Sequence, residues 1–302
     1  MRGHAIEAEG LGKRYPNGVW GARNVSLRAR YGEVTVLLGP NGAGKTTTVG
    51  MLTTLLKPTK GKARVAGYDV LRDYVKIRKH IALCPQDISI DANWTPLEAV
   101  VGYLMLRGFS RGDAVKEAKY WLEVLDLWSV RRRLARALSG GQRKRVAVAM
   151  VLASNAPVLF LDEPSAGLDV EGRYKVWRAL RDFVRGGRCV VMTTHDMREA
   201  QLIADQVVMI HKGVTAAAGS PEELMRVIPY RFKVIVKGSA DGLMAERVVR
   251  LGDRVVAYAR SRDEALNIAS SVVAGSVAID EVDLEDVYLE VVGSGEVGGH
   301  GA

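Results

Sequence analysis

The stretch Gly39-Pro-Asn-Gly-Ala-Gly-Lys-Thr46 is the feature that most restricts how this chain can fold. It fits the pattern G-x-x-x-x-G-K-[ST] and lies between the apolar run Val34–Leu38 and a helix-forming segment that begins at Thr46. Glycines allow successive backbone N–H groups to turn inward around phosphate oxygens, and the positive end of the following helix points at the same anions. The stretch therefore predicts a loop that binds a nucleoside triphosphate.

Two side chains of this loop have predicted roles of their own. Lys45 supplies a point charge for the β- and γ-phosphates, and the Thr46 hydroxyl completes the coordination shell of Mg²⁺. The alternative, a glycine turn that merely precedes a lysine, is disfavoured because both the strand and the helix are in place. Kinases, GTPases and motors share this loop, so it does not define the class of protein. The predicted nucleotide-binding residues here are Gly39, Pro40, Asn41, Gly42, Ala43, Gly44, Lys45, Thr46 and Thr47.

Three further apolar runs resemble the one before the loop: Val158–Leu161, Val190–Thr194 and Gln206–Ile210. Nearly continuous apolar strands separated by helical stretches indicate a parallel sheet that is buried on both faces. Residues from about 96 to 155 are helical in pattern and contain no convincing strand. The sequence therefore predicts an α/β core with an inserted helical subdomain.

A second domain is predicted after a boundary at 224/225. Tyr230, Phe232, Val234 and Val236 alternate with polar residues as one face of a strand does. The later segments predict a hairpin at 246–260, a helix at 263–273, a strand at 276–279 and a helix at 284–292. Residues 225–292 are thus predicted to form a small α+β domain, and the glycine-rich tail 293–302 is predicted to be disordered.

Composition excludes several classes of protein. The chain has 302 residues but only two cysteines, so it is not a disulfide scaffold, and no clustered zinc ligands are visible. Cys84 and Cys189 are expected to be reduced core residues of a cytosolic protein. The longest apolar run, Val146–Ala153, is too short to span a membrane, and the N-terminus has no apolar core of a signal peptide. We therefore expect a soluble protein inside the cell.

The positive charge is concentrated in the first part of the chain. Residues 1–224 carry 34 basic and 22 acidic side chains, whereas 225–302 carry 9 and 12, which gives formal charges of +12 and −3. A basic region of this kind fits a nucleotide, a nucleic acid or a membrane surface. Charge alone does not choose among these ligands.

Two further motifs narrow the class. Leu138-Ser-Gly-Gly-Gln142 precedes a helix, and Val158-Leu-Phe-Leu-Asp-Glu-Pro164 follows it. With the phosphate loop before them, these motifs make residues 5 to about 225 resemble the ATP-binding subunits of ABC transporters. The resemblance implies a P-loop NTPase core with a parallel sheet, an N-terminal antiparallel β subdomain and the helical insert.

The resemblance also implies roles for individual residues outside the loop. Glu163 corresponds to the general base that polarises the attacking water, and His195 to the histidine at the γ-phosphate. Asp162 and Gln86 are expected to join Thr46 at Mg²⁺, with Gln86 also near the water. The predicted catalytic set is Glu163, His195, Gln86 and Lys45. Tyr15 is expected to stack on adenine.

Each of these assignments has a simpler alternative. The acidic pair at the end of a strand could cap a helix or form a surface ion pair, and Gln86 could be a solvated loop residue. His195 could cap a turn, and Tyr15 could be an aromatic of an edge strand. The phosphate loop and the order of the motifs favour the functional interpretation for each of these residues, and the segment Asp196–Ala200 after His195 resembles the family as well.

In the family, the signature loop closes on the ATP of an opposing subunit. Ser139, Gly140, Gly141 and Gln142 would bind that partner's nucleotide, and Asp169 would lie near the partner's phosphate loop, although Val170 replaces the proline usual after this aspartate. One phosphate loop and one signature in the chain imply a second copy or a related subunit, with a homodimer expected.

The resemblance further implies a separate polytopic membrane permease, which would hold the chain at the cytoplasmic face of the membrane. Asp87–Thr95, including Trp94, is the expected permease-facing surface, although a core tryptophan is an equal alternative. The segment Asp283–Glu290 resembles the end of drug-resistance and lipid-type exporter ATPases, a subgroup whose small extra domain is often linked to dimer assembly. We therefore expect an exporter subunit that uses ATP and Mg²⁺ and binds no nucleic acid.

Two other functions fit the sequence less well than this one. A soluble ABC ATPase could act as a mechanical switch in DNA repair, translation or cluster assembly. DNA-repair members carry a very long insertion, but only 93 residues separate Lys45 from Leu138, and translation-linked members usually carry two cassettes. A nucleotide-binding regulator without turnover is disfavoured because the expected catalytic residues are present.

Overall fold

The apolar runs that alternate with helices form the interior strands of a large sheet. The computed structural model describes residues 3–87, 90–237, 244–272 and 276–297. The chain divides into two compact units, and the boundary between them along the sequence falls between Ser220 and Pro221. The first unit contains β1 (His4–Arg14), β2 (Trp20–Arg30), β3 (Val34–Leu38), α1 (Lys45–Leu52), β4 (Lys60–Val65), β5 (Tyr68–Asp69), α2 (Tyr74–His80), β6 (Ile81–Cys84), α3 (Pro96–Leu106), α4 (Arg111–Val124), α5 (Gly140–Ala153), β7 (Val158–Asp162), α6 (Val170–Arg185), β8 (Cys189–Thr194), α7 (Met197–Ile203), β9 (Gln206–His211) and β10 (Val214–Gly219).

These strands form one sheet of ten, in the order β5-β4-β1-β2-β10-β9-β3-β8-β7-β6. Strands β9, β3, β8, β7 and β6 are mutually parallel. Every residue of β3, β7 and β8 is buried, as expected for strands covered on both faces. Strands β1, β2, β4 and β5 pair antiparallel and form the N-terminal β subdomain. The predicted α/β architecture is confirmed.

The predicted helical insert consists of α3, α4 and α5, joined by two short 3₁₀ turns at Trp128–Val130 and Ala135–Ala137. The starts of these helices are set by local sequence. The Thr95 and Glu98 side chains form a reciprocal capping box at α3, and Ser110 caps α4. Each cap satisfies backbone N–H groups that have no partner within the helix.

The second unit is a small α+β structure built on one antiparallel sheet. It contains α8 (Pro221–Met225), β11 (Phe232–Lys237), β12 (Arg247–Leu251), β13 (Arg254–Ala259), α9 (Arg262–Ser270), β14 (Ser276–Glu281) and α10 (Leu284–Val297). The strand order is β12-β13-β11-β14. Val234 and Val236 face α9, where they pack with Ala265 and Ile268. The structure has a hairpin of β12 and β13 in this region, with α9 ending at Ser270, before the predicted limit of 273.

Two predicted limits of the second domain differ from the structure. The boundary at 224/225 falls inside α8, because the first unit ends at Ser220. Helix α10 continues to Val297, so the prediction of disorder was wrong for residues 293–297, while 298–302 lie outside the described residues. Among the helices that the structure describes, none has the length and apolar character needed to cross a membrane.

Candidate functional site

The predicted catalytic residues lie at one edge of the parallel sheet. The phosphate loop follows β3, Gln86 follows β6, Glu163 follows β7 and His195 follows β8. The carboxyl ends of parallel strands meet at the same edge, where ligands of open α/β sheets bind. A cavity of about 460 Å³ opens there, lined by the loop, Gln86, Glu163 and residues 19–21.

The backbone of the phosphate loop requires its glycines. Gly42 and Gly44 have φ values of 79° and 105°, in the left-handed region. A Cβ at Gly44 would lie 2.5 Å from the carbonyl oxygen of Gly21, and one at Gly39 would lie 2.2 Å from that of Ile210. No side chain caps the start of α1, so its first backbone N–H groups face the cavity as an anion-binding end.

The ammonium of Lys45 lies at the base of this loop and is 5% exposed. Its Nζ donates to the carbonyl oxygens of Gly39 at 2.7 Å and Pro40 at 3.1 Å, and it lies 3.8 Å from Oε1 of Glu163. Burial lowers the pKa of Lys45, and the charges of Glu163 and Asp162 oppose this shift only in part. A bound anion would stabilise the charged form.

The acidic pair at the end of β7 is held by β8. The Thr193 hydroxyl donates to Asp162 Oδ1 and accepts from the backbone N–H of Glu163 at 3.0 Å. Glu163 has φ of 48°, an unusual left-handed conformation for a residue with a side chain. Backbone strain of this kind persists where surrounding bonds impose it, and it is common at functional sites.

Glu163 and His195 form a pair at the cavity. Oε1 of Glu163 lies 3.1 Å from Nδ1 of His195, although the two residues are 32 positions apart. The Glu163 side chain is almost fully buried, whereas that of His195 is about half exposed. This arrangement can orient a water molecule, because the Glu163 acceptor is buried and fixed while the His195 ring is accessible to solvent.

The donor set at this edge fits a magnesium ion. The Thr46 hydroxyl and the Gln86 amide border the cavity, and Asp162 lies beside Glu163 at the end of β7. Hydroxyl, amide and carboxylate oxygens are the hard ligands that Mg²⁺ prefers, with waters and phosphate oxygens filling the remaining positions. The residues predicted as metal ligands are therefore chemically suited to that ion.

Two aromatic residues lie at or beside the edge of the cavity. The hydroxyl of Tyr15 lies 3.3 Å from Oγ1 of Thr47, beside the loop, and its stacking on adenine stays a prediction. Trp20, which sequence reasoning missed, lines the cavity itself. The cations of Arg14 and Lys60 lie 6.0 and 5.5 Å from its ring centroid. A tryptophan among β-strand residues gives no local signal of such a role.

The signature residues lie apart from this cavity. None of Leu138–Gln142 is among the described residues that line it. Ser139 caps α5 by accepting from the Gln142 backbone at 3.1 Å, while the Gln142 side chain accepts from the Ser139 backbone at 3.0 Å. Asp169 likewise caps α6 through Gly172. Neither loop is among the described residues that line the cavity at the chain's own phosphate loop.

Trp94 in the expected permease-facing segment is 44% exposed, so it is not a core tryptophan. Its ring packs over Gly102 of α3, where a Cβ would come within 2.9 Å of it. Ile88 and Ser89 of the same segment lie outside the described residues. Whether this surface meets a permease stays a prediction.

Together, the doubly covered parallel sheet, the phosphate loop and the acidic pair at the end of the neighbouring strand define a P-loop nucleoside triphosphatase. The sequence profile of the ABC transporter family matches residues 22–166. The doxorubicin resistance ATP-binding protein DrrA of Mycobacterium tuberculosis is 36% identical over 221 residues, which are 73% of this chain and 67% of that protein. This chain belongs to the ABC transporter family, and the matched region is an ATP-binding cassette of that family.

Two further comparisons agree with this assignment. The human phospholipid-transporting ATPase ABCA3 is 40% identical over 201 residues, which are 66% of this chain but only 12% of that longer protein. A dimeric post-hydrolysis state of an ATP-binding cassette bound to ADP and Pi has 27% identity and a TM-score of 0.66, covering 71% of this chain and 98% of that one. The site is therefore that of an ABC ATPase, which binds ATP with Mg²⁺.

Proposed function

We propose that this chain hydrolyses ATP within a head-to-tail dimer and thereby drives a separate membrane permease that exports its cargo. The observation that carries the proposal is that the phosphate loop and the signature loop lie at separate places on the chain. Lys45 and Glu163 line one cavity and His195 contacts Glu163, whereas the signature loop at Ser139 is not among the described residues that line this cavity. A second copy, turned head to tail, would place its signature loop over this nucleotide.

Each residue of the cavity would do one task. Lys45 and the backbone N–H groups of the loop would hold the β- and γ-phosphates, and Thr46, Gln86 and Asp162 would hold Mg²⁺, which neutralises phosphate charge. Glu163 would accept the proton of the attacking water, and His195 would orient that water or stabilise the transferred charge.

The names of the relatives support the proposed export and the proposed permease partner. One is named for doxorubicin resistance and another for phospholipid transport, and a related cassette of known structure is dimeric. The chain matches only 12% of the length of the phospholipid transporter, and the proposal assigns the permease to a separate polypeptide. The chain would then be held at the cytoplasmic face of the membrane by that partner.

Glu163→Gln tests the dimer directly. The substitution keeps the shape of the side chain but removes the base, so Mg-ATP should bind, turnover should fall by about 10²–10⁴-fold and an ATP-dependent dimer should accumulate. Light scattering with Mg-ATP and with Mg-ADP would measure it. A variant that stays monomeric with Mg-ATP at all concentrations would overturn the head-to-tail arrangement.

Co-purification tests the transport role. The tagged chain would be recovered from gently solubilised cells of its own source, with Lys45→Met as the matched control that cannot hold the nucleotide. A stoichiometric polytopic membrane protein supports the exporter proposal. A ribosomal, DNA-bound or soluble assembly partner would contradict it and favour the soluble mechanical switch.

A further inference from the structure

Glu199 of α7 is a buried carboxyl group that the steps above do not use. It lies in the segment that follows His195 and is 3% exposed. A carboxyl group removed from water is costly unless it is well hydrogen-bonded. The partners of Glu199 therefore show what its burial accomplishes.

Three side-chain donors converge on this carboxylate. Oε1 accepts from the Ser165 hydroxyl and from the Trp177 indole N–H, the latter at 2.7 Å. Oε2 accepts from the Thr194 hydroxyl at 2.6 Å. Trp177 belongs to α6, so the carboxylate joins three separate segments of the chain.

Two of these segments carry the catalytic pair. Ser165 is two residues after Glu163, and Thr194 directly precedes His195. A small cavity of about 140 Å³ lies between them, lined by both members of the pair, by Ser165 and by Glu199. The carboxylate of Glu199 therefore spans the two segments whose side chains must meet.

We propose that Glu199 is a positioning residue for ATP hydrolysis. By binding Ser165 and Thr194 together, its carboxylate fixes the separation of Glu163 and His195, which is 3.1 Å between Oε1 and Nδ1. This inference rests on the catalytic roles proposed for that pair. Small misplacements of reacting groups reduce the rate of chemistry strongly, while substrate binding elsewhere is unaffected.

A matched pair of variants separates positioning from general stability. Ser165→Ala and Trp177→Phe each remove one donor to the same oxygen, but only Ser165 lies beside Glu163 in the chain. Both should lower Tm by a similar amount, about 2–4 °C. Ser165→Ala should lower kcat about tenfold with KM for ATP within about twofold, whereas Trp177→Phe should leave kcat within about twofold of the original. Equal kcat values for the two variants would overturn the proposal.

Substitutions at Glu199 test whether a conservative replacement preserves kcat where a truncation does not. In Glu199→Gln the amide oxygen can still accept from Ser165 and Trp177, while its NH₂ faces the Thr194 hydroxyl, which can accept. We expect kcat within about threefold of the original for Glu199→Gln, and at least tenfold lower for Glu199→Ala. Adding Ser165→Ala to Glu199→Ala should lower kcat no further, because the two act through one bond. A further tenfold fall would contradict the proposal.

Two controls keep this inference distinct from the proposed function. If Glu163→Gln itself leaves turnover unchanged, the assignment of the general base fails, whatever the Ser165 variant does. If Glu163→Gln lowers turnover but Ser165→Ala does not, only the positioning role fails. In the Glu163→Gln background, Ser165→Ala should leave the ATP-dependent dimer intact. Loss of that dimer would place the Ser165 effect at the subunit interface and overturn the positioning role.

Discussion

Each of the two units contains a largely buried lysine, and the two lysines have different hydrogen-bond partners. Nζ of Lys45 bonds to two carbonyl oxygens and lies 3.8 Å from its nearest carboxylate oxygen. Nζ of Lys233 in β11 bonds to Asp283 at 2.9 Å and Asp286 at 2.7 Å. The Lys45 ammonium forms a 3.8 Å ion pair with Glu163 that is too long for a hydrogen bond, whereas the Lys233 ammonium is hydrogen-bonded to two carboxylates of its own unit.

The pKa values follow this contrast. Burial lowers the pKa of Lys45, and nearby carboxylates offset it only in part. Burial also acts to lower the pKa of Lys233, but the hydrogen bonds to Asp286 and Asp283 outweigh it and raise the pKa above its ordinary value. A buried lysine without a close carboxylate indicates a site for an anionic ligand, whereas a fully paired lysine indicates a structural role.

Lys45→Met should produce the largest effect. Removing the charge proposed to bind the phosphates should lower kcat/KM for ATP about 10³-fold, since one preorganised donor to the transferring group contributes about that much. Tm of the nucleotide-free protein should fall little, because the ion pair that is lost, to Glu163 at 3.8 Å, is long and the buried charge itself is removed. Steady-state ATPase assays and thermal scans measure the two results. A large fall in Tm would show that Lys45 is needed for stability as Lys233 is, and would contradict the difference in role between the two lysines.

Lys233→Met should give the reverse result. It leaves Asp283 and Asp286 partly buried without their cation, which should reduce the free energy of unfolding of the second unit by about 3 kcal/mol. Hydrogen exchange of peptides from 230–297 reports that unit, whereas tryptophan fluorescence reports the first, since all five tryptophans lie at positions 20–177. The fluorescence transition should be unchanged. Destabilisation seen only in the first unit would contradict the assignment.

The role of Lys45 can be predicted from the sequence, whereas the partners of Lys233 cannot, and the reason is physical. The phosphate loop is a contiguous motif between a strand and a helix, so Lys45 could be placed and given a role directly. Lys233 and Asp286 are 53 residues apart, and only strand register and helix packing bring them together. The same holds for Glu199 and Ser165, 34 residues apart. Hydrophobic periodicity predicts elements, but it contains no information about which distant polar side chains become partners.

Tyr258→Phe should have a smaller effect on the same cluster. The Tyr258 hydroxyl donates to Asp286 Oδ1 at 2.8 Å, and burial together with this carboxylate raises its pKa. Because Lys233 remains, Asp286 keeps its cation and loses one hydrogen bond. We expect a loss of about 1–2 kcal/mol in the unfolding free energy of the second unit, measured by hydrogen exchange. A loss equal to that of Lys233→Met would show that the hydroxyl, not the cation, holds the cluster together.

The smallest predicted effect is a pH dependence confined to the second unit. Burial acts to raise the pKa of Asp283, but the hydrogen bond from Lys233 outweighs it and holds the pKa below its ordinary value of about 3.9. A carboxyl group with a lowered pKa contributes stability above that ordinary value, and the contribution is lost as the pH falls through the folded-state pKa. The slope from this one group cannot exceed about 1.4 kcal/mol per pH unit.

Lys233→Met should reverse this slope, since Asp283 without its cation would be easier to protonate in the folded state. Lys45→Met is the control and should keep the original slope. Hydrogen exchange between pH 5 and pH 3 in peptides from 276–297 would compare the three proteins. An unchanged acid slope in Lys233→Met would show that other carboxylates dominate, and the cluster around Lys233 would then not set the acid stability of this unit.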